Sequence, residues 1–255
     1  MKRAIVCQPA STMRHGLTRS DLGLPDYAHA LVQHEEYCAA LIRCGLEVFS
    51  LNPVEAFPDS VFVEDVAVLS GQSAILTRPG ATSRRGEVSL IEPHLRSLIR
   101  SVKRIEEPGT LDGGDVCEAG NHFFIGISER TNEAGARQLG QFLEALGFSY
   151  DCIDIRDIRE LLHLKSALTY LGDNRLVVTD ALAGLKEFAG YEIVHVAAAE
   201  DYAANCVRVN DHVLIAKGYP AFSATLAALG YQTIPLDMSE FQKLDGGLSC
   251  LSLRF

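Results

Sequence analysis

The chain has 255 residues, 47% hydrophobic and 22% charged, and 33 acidic against 23 basic side chains give a formal net charge of -10. That balance argues against a nucleic-acid partner, which requires a basic face for phosphates, and no apolar run is long enough to span a membrane. Seven cysteines without a C-x-x-C pair suggest neither a disulfide framework nor a structural zinc site, and an N-terminal apolar run too short for a secretion signal leads us to expect a cytoplasmic protein.

In chain order, Ala4-Ile5-Val6-Cys7 reads as a strand with no hairpin mate of its own. Residues 27–44 place Tyr27, Leu31, His34, Cys38, Leu41 and Ile42 roughly on one helical face, and Gly45 stops that helix before a strand at 46–49. Residues 66–69 and 74–76 form a hairpin about Gly71, and a helix over 87–99 is expected to be interrupted at Pro93. A second hairpin, 116–119 with 123–125, turns at Gly120-Asn121; a helix over 132–146 then stops at Gly147 before a strand at 148–153. Residues 168–171 and 176–178 pair around Asp173-Asn174, and 206–209 with 213–215 around Asn210-Asp211, the residue types that tight hairpins demand. A helix over 221–229 stops at Gly230, a strand follows at 231–234, and a last strand, 250–253, runs out of chain. Its missing partner is the N-terminal strand.

Hairpin, helix, strand and polar loop therefore recur with a period of about fifty residues. The expected fold class is α/β: a five-bladed α/β propeller of pseudo-symmetric strand-hairpin-helix units in one domain, 1–255. An open doubly wound α/β sheet is the alternative, but the Gly-rich nucleotide turn it needs after an early strand is missing.

Pseudo-symmetry would bring the loops before each hairpin to one end of the axis. They carry Asp59, Glu64 and Asp65; Asp112-Gly113-Gly114-Asp115; His163 and Lys165; Ala203-Ala204-Asn205; and Gly246-Gly247-Leu248-Ser249-Cys250. A thiol, an imidazole and a carboxylate at equivalent positions suggest a nucleophile, an acid/base and a group that orients it. Acyl transfer would need donors around an oxyanion, whereas these loops supply carboxylates, which suit a planar guanidinium. Arg84 and Arg130 sit between a hairpin and its helix, where they could grip a substrate carboxylate.

At these residues the chain resembles the dimethylarginine dimethylaminohydrolases. The motifs are His15-Gly16-Leu17-Thr18, the run from Phe57 to Asp65, Ser83-Arg84-Arg85-Gly86-Glu87, Gly109-Thr110-Leu111-Asp112-Gly113-Gly114-Asp115, Arg130-Thr131-Asn132, Leu162-His163-Leu164-Lys165 and Asp245-Gly246-Gly247-Leu248-Ser249-Cys250. They cover essentially the whole chain in order. The resemblance implies a pentein-like propeller that hydrolyses dimethylarginine and monomethylarginine to citrulline and the methylamine, with a small-molecule substrate, no cofactor and no metal. It further implies Cys250 as nucleophile, His163 as proton donor and Asp112, a position held by Glu or Asp in the family, as its orienting group. Glu64 and Asp65 would hold the guanidinium, and Arg84 and Arg130 the substrate carboxylate. Asp59 and the Leu17 carbonyl would take the α-amino group, with Leu244 and Ser249 completing the pocket. A homodimer is compatible with the sequence. The rival activities are an arginine deiminase, a zinc hydrolase and a non-catalytic propeller serving as a binding module.

Overall fold

Short alternating apolar strands must bury one face against a partner, and each stretch here does so within its own three-stranded sheet. The computed structural model describes all of Met1–Phe255. Strand β1 (Arg3–Cys7) leads into helix α1 (Tyr27–Arg43) and then β2 (Glu47–Leu51). The second sheet contains β3 (Ala67–Ser70), β4 (Ser73–Leu76) and β5 (Ser101–Arg104), with α2 (Val88–Leu98) before β5. The third contains β6 (Val116–Ala119), β7 (His122–Ile127) and β8 (Ser149–Asp154), with α3 (Glu133–Ala145) before β8. The fourth is β9 (Leu168–Gly172), β10 (Arg175–Thr179) and β11 (Glu192–Val196). The fifth is β12 (Val207–Val209), β13 (His212–Ala216) and β14 (Gln232–Leu236), with α4 (Pro220–Ala228) before β14; a short α5 (Ser239–Gln242) and β15 (Leu253–Arg254) end the chain.

In every sheet the middle strand pairs antiparallel with its hairpin mate and parallel with the strand that returns from the crossover. The N-terminal strand takes the C-terminal one as its mate, Ala4 opposite Arg254 and Ile5 opposite Leu253, which completes the first blade. The inner strands β15, β3, β6, β9 and β12 together line one axial cavity of about 470 Å³. The fold is thus the five-bladed α/β propeller.

Local chemistry explains most element ends. Gly45, Gly147 and Gly230 follow their helices at φ 89°, 90° and 86°, the left-handed C-terminal cap that a side chain would strain. Asp173 and Asn174 both have positive φ, 52° and 62°, as a two-residue hairpin turn requires. Helix α2, however, runs through Pro93 rather than breaking there. Pro93 lies on the exposed face, so water can serve the Ser89 carbonyl that loses its partner. The fourth blade has no α-helix: Lys186–Phe188 makes a single 3-10 turn, in a connection punctuated by Gly184 and Gly190. No helix is long and apolar enough to cross a membrane.

Candidate active site

Short 3-10 turns precede all five inner strands: Val63–Val66, Gly113–Asp115, Leu164–Ser166, Ala198–Ala204 and Ser249–Leu251. With Leu17 and the segment around Leu244, four of these loop regions enclose a pocket of about 120 Å³. Asp59, Phe62, Asp65, Arg84, Asp112, Arg130, Leu162, His163 and Cys250 line it. The larger axial cavity opens on the other side of these turns and contains neither Cys250 nor His163, so the smaller pocket is where thiol and imidazole can act together.

The two Gly-Gly pairs matter here for close approach. Gly113 and Gly114 have ordinary φ, but a Cβ on Gly113 would lie 1.9 Å from the Glu64 carbonyl, and one on Gly114 would lie 2.8 Å from the His163 ring. Gly114 therefore leaves room for the imidazole. The matching Asp245-Gly246-Gly247 segment takes its positive φ at Asp245, 57°, while a Cβ on Gly246 would strike the Phe62 ring.

His163 Nε2 lies 3.1 Å from Asp112 Oδ2, and the other Asp112 oxygen accepts the Gly80 N–H at 2.9 Å. The aspartate is thus held from both sides. Burial works against a charged imidazole, but the Asp65 and Asp115 carboxylates and the hydrogen bond to Asp112 outweigh it and push His163 up to about 9. It is an imidazolium at neutral pH. Asp115 buttresses it from behind, accepting Leu164 N–H at 3.0 Å and the hydroxyls of Ser128 and Thr131 at 2.6 Å each.

Cys250 Sγ receives the Gly247 N–H at 3.4 Å. Burial, followed by the negative fields of Glu64 and Asp65, pushes the thiol up to about 12, so the resting nucleophile is neutral. Burial also acts to raise Asp65, yet the charges of His163 and Arg84 win and hold it below the usual carboxylate range. Asp59 accepts the Leu17 N–H at 2.9 Å, and burial raises its carboxyl. Asp65, Asp112 and His163 each bring one ligand atom within 4.8 Å of the others, the one grouping here that could hold a metal ion. A metal would have to displace the proton that the imidazole already holds against those carboxylates.

The cations divide into two kinds. Arg84 is 5% exposed and spends its donors within the fold: on Asp65, on both oxygens of Glu87, and on the carbonyls of Asp59 and Phe62. Arg130 lines the pocket with no ion pair from its guanidinium.

The arginine deiminase family model matches residues 29–217. The chain is 46% identical to the N(G),N(G)-dimethylarginine dimethylaminohydrolase of Pseudomonas aeruginosa, over all of this chain and 99% of that protein. It belongs to the dimethylarginine dimethylaminohydrolase family. The dimethylarginine dimethylaminohydrolase of Streptomyces coelicolor is 36% identical over 99% of this chain and 96% of its own. A mutant of the Pseudomonas aeruginosa dimethylarginine dimethylaminohydrolase, solved with citrulline, superposes with a TM-score of 0.97 at 45% identity, covering 100% of this chain and 99% of that one. The N-terminal domain of ArgZ, an arginine dihydrolase from Cyanobacteria, shares the fold at a TM-score of 0.89 and 19% identity, over 99% and 96% of the chains.

Of the residues that resemblance to dimethylarginine dimethylaminohydrolases singles out, Leu17, Asp59, Asp65, Arg84, Asp112, Arg130, His163, Leu244 and Cys250 meet in the pocket. Glu64 and Ser249 do not. Glu64 turns away, to Lys165 Nζ at 2.6 Å and Arg254 at 3.4 Å, and accepts the Ser249 hydroxyl at 2.6 Å. It borders the axial cavity rather than the pocket, so it is not placed to grip a guanidinium beside Cys250, and Ser249 faces the same cavity. Arg84 reaches the wall, but its donors are already occupied, unlike those of Arg130. Phe62 and Leu162 belong to the apolar wall, whereas Leu248 is buried in the core. Period and motif carried no sign of this, because a neighbouring pair such as Glu64-Asp65 points to opposite sides of its turn.

Proposed function

We propose that this protein hydrolyses dimethylarginine and monomethylarginine to citrulline and the corresponding amine. The observation that carries the reading is that one pocket joins the Cys250 thiol to the His163–Asp112 pair, with an unpaired Arg130 among the pocket-lining residues. Arg130 binds the substrate carboxylate, Asp59 and the Leu17 carbonyl take the α-amino group, and Asp65 with Asp112 holds the guanidinium. A cation arriving beside Cys250 counters the carboxylate field that keeps the thiol protonated, so substrate binding itself favours the thiolate, the thiol proton passing to water. The thiolate adds to the guanidinium carbon, and the His163 imidazolium passes its proton to the departing amine. A covalent thiouronium remains. Neutral His163 then takes one proton from water as that water adds to the same carbon. The collapse breaks the C–S bond, the added hydroxyl gives its remaining proton to the departing Cys250 sulfur, and citrulline and the resting thiol are left.

Arginine shares the amino-acid end, so selectivity has to arise at the guanidinium. Leu17, Phe62, Leu162 and Leu244 give the pocket apolar wall, against which each unpaired arginine N–H would cost about 1–3 kcal/mol. Methyl groups avoid that cost. Citrulline release measured side by side is expected to give a larger kcat/KM for the methylated substrates than for arginine. An arginine value equal to or above the dimethylarginine value would reassign the protein as a deiminase, the activity after which the matching family model is named.

Arg130→Ala should lower kcat/KM through KM, by about 1.5–3 kcal/mol for a charge-assisted contact. Agmatine, which lacks the carboxylate, should be a poor substrate of the wild type and indifferent to the substitution. Efficient agmatine turnover would remove Arg130 from this role.

A further inference from the structure

We propose that Asn205 is a positioning residue that sets Cys250 against His163 by tying the loop carrying one to the loop carrying the other. The inference rests on the reaction proposed above. Asn205 caps the turn Ala198–Ala204 and is 7% exposed. Its Oδ1 accepts the Ser249 N–H at 2.9 Å, while its Nδ2 donates to the Lys165 carbonyl at 2.9 Å and to Ser249 Oγ at 3.2 Å. Ser249 immediately precedes the nucleophile, and Lys165 lies just beyond the imidazole. Ser249 Oγ continues to Glu64, and Glu64 to Lys165 Nζ, so the circuit closes behind both reacting groups. A Cβ on Gly247 would lie 2.5 Å from the Asn205 side chain, so the nucleophile loop rests directly on the amide.

The pseudo-symmetry of the blades gives this arrangement its meaning. Asp65 accepts Gly114 N–H at 2.9 Å and Asp115 accepts Leu164 N–H at 3.0 Å, each fastening the next loop around the axis as Asn205 fastens Ser249. Asp65, Asp115 and Asn205 stand at matching places before β3, β6 and β12, and Cys250 takes that place in the final blade. Only the clasp facing the nucleophile is an amide. A carboxylate there could not donate to the Lys165 carbonyl, and it would add a third negative field to a thiol already opposed by Glu64 and Asp65. The amide keeps the clasp and leaves the charge out.

The test compares Asn205→Ala and Asn205→Asp with wild type in kcat, KM, far-UV circular dichroism and site-resolved iodoacetamide labelling of Cys250. Misplacing the nucleophile by a fraction of an ångström should lower kcat for dimethylarginine about 30- to 100-fold in Asn205→Ala, with KM held within about 3-fold. In Asn205→Asp the added charge should slow Cys250 labelling about 10-fold at fixed pH. A merely structural residue would shift the melting midpoint and leave both readouts unchanged per folded molecule. Asn205→Ala turning over within about 3-fold of wild type, or losing activity only through KM, overturns the proposal. Should Asn205→Ala fail to fold, Asn205→Asp carries the test, since it keeps the acceptor for Ser249; labelling at the wild-type rate would then overturn it. Labelling needs no substrate, so an enzyme that releases no citrulline would overturn the proposed reaction while this comparison still judged Asn205.

Discussion

Cys250→Ser is expected to keep the fold and lower kcat by at least about ten-thousand-fold, the scale on which removal of a sole nucleophile acts. The substitution is nearly isosteric, and the Gly247 N–H that points at Sγ can point at a hydroxyl instead. Chemistry is what changes. Even the thiol is pushed up to about 12 in the resting site and depends on a bound cation for ionisation. A hydroxyl begins several pH units higher, and no base stands beside it, because His163 is itself protonated at neutral pH. Substrate should therefore still bind to the serine variant, through Arg130 and Asp59. Steady-state citrulline release, with equilibrium binding of dimethylarginine measured in parallel, checks both halves. Turnover near the wild-type rate would end the covalent mechanism.

The fold was legible in the sequence because hairpin chemistry repeats. Gly71, Gly120-Asn121, Asp173-Asn174 and Asn210-Asp211 marked the hairpins, and the glycines after α1, α3 and α4 marked the crossovers. Strands β5 and β11 were not legible. Ser101–Arg104 has a single apolar residue, and Glu192–Val196 follows a helixless connection, so neither announced itself as the third strand of a blade. Asp59, Asp65, Asp112, His163 and Cys250 followed from placing one motif per loop on a common axis, Arg84 and Arg130 from their place between a hairpin and its helix, and Leu17 and Leu244 from the family resemblance alone; the nine meet in one pocket. What sequence could not show is direction. Glu64 and Asp65 are adjacent, yet one pairs with Lys165 under the axial cavity and the other faces Arg84 and the pocket. Period and motif give a side chain's address but not its partner, and the partner decides whether a charge is free to meet substrate.

Arg84 is where that distinction has the largest consequence for stability. If it were a substrate-binding arginine, Arg84→Ala would raise KM and leave the unfolding midpoint in place. Its surroundings predict the reverse emphasis. Arg84 is buried between Asp65 and Glu87, which it reaches through its Nη1 atom and through Nε and Nη2. Removing it leaves buried Glu87 without its countercharge and Asp65 with that of His163 alone, a defect of the kind that typically costs about 3–5 kcal/mol. The pH dependence gives this cause a signature. Burial already pushes Glu87 up to about 6 with Arg84 present, and losing the guanidinium can only raise it further. A carboxyl whose folded pKa lies above its unfolded value contributes stability below the unfolded pKa and loses it as pH rises through the folded one. The variant should accordingly be most destabilised at about pH 8 and recover part of the deficit at about pH 5.5, where Glu87 takes up a proton. Because the chain has no tryptophan, urea unfolding is best followed by far-UV circular dichroism at both pH values. A midpoint unchanged at both, with the loss confined to KM, would return Arg84 to the substrate carboxylate and leave Glu87 compensated by something other than its visible partner.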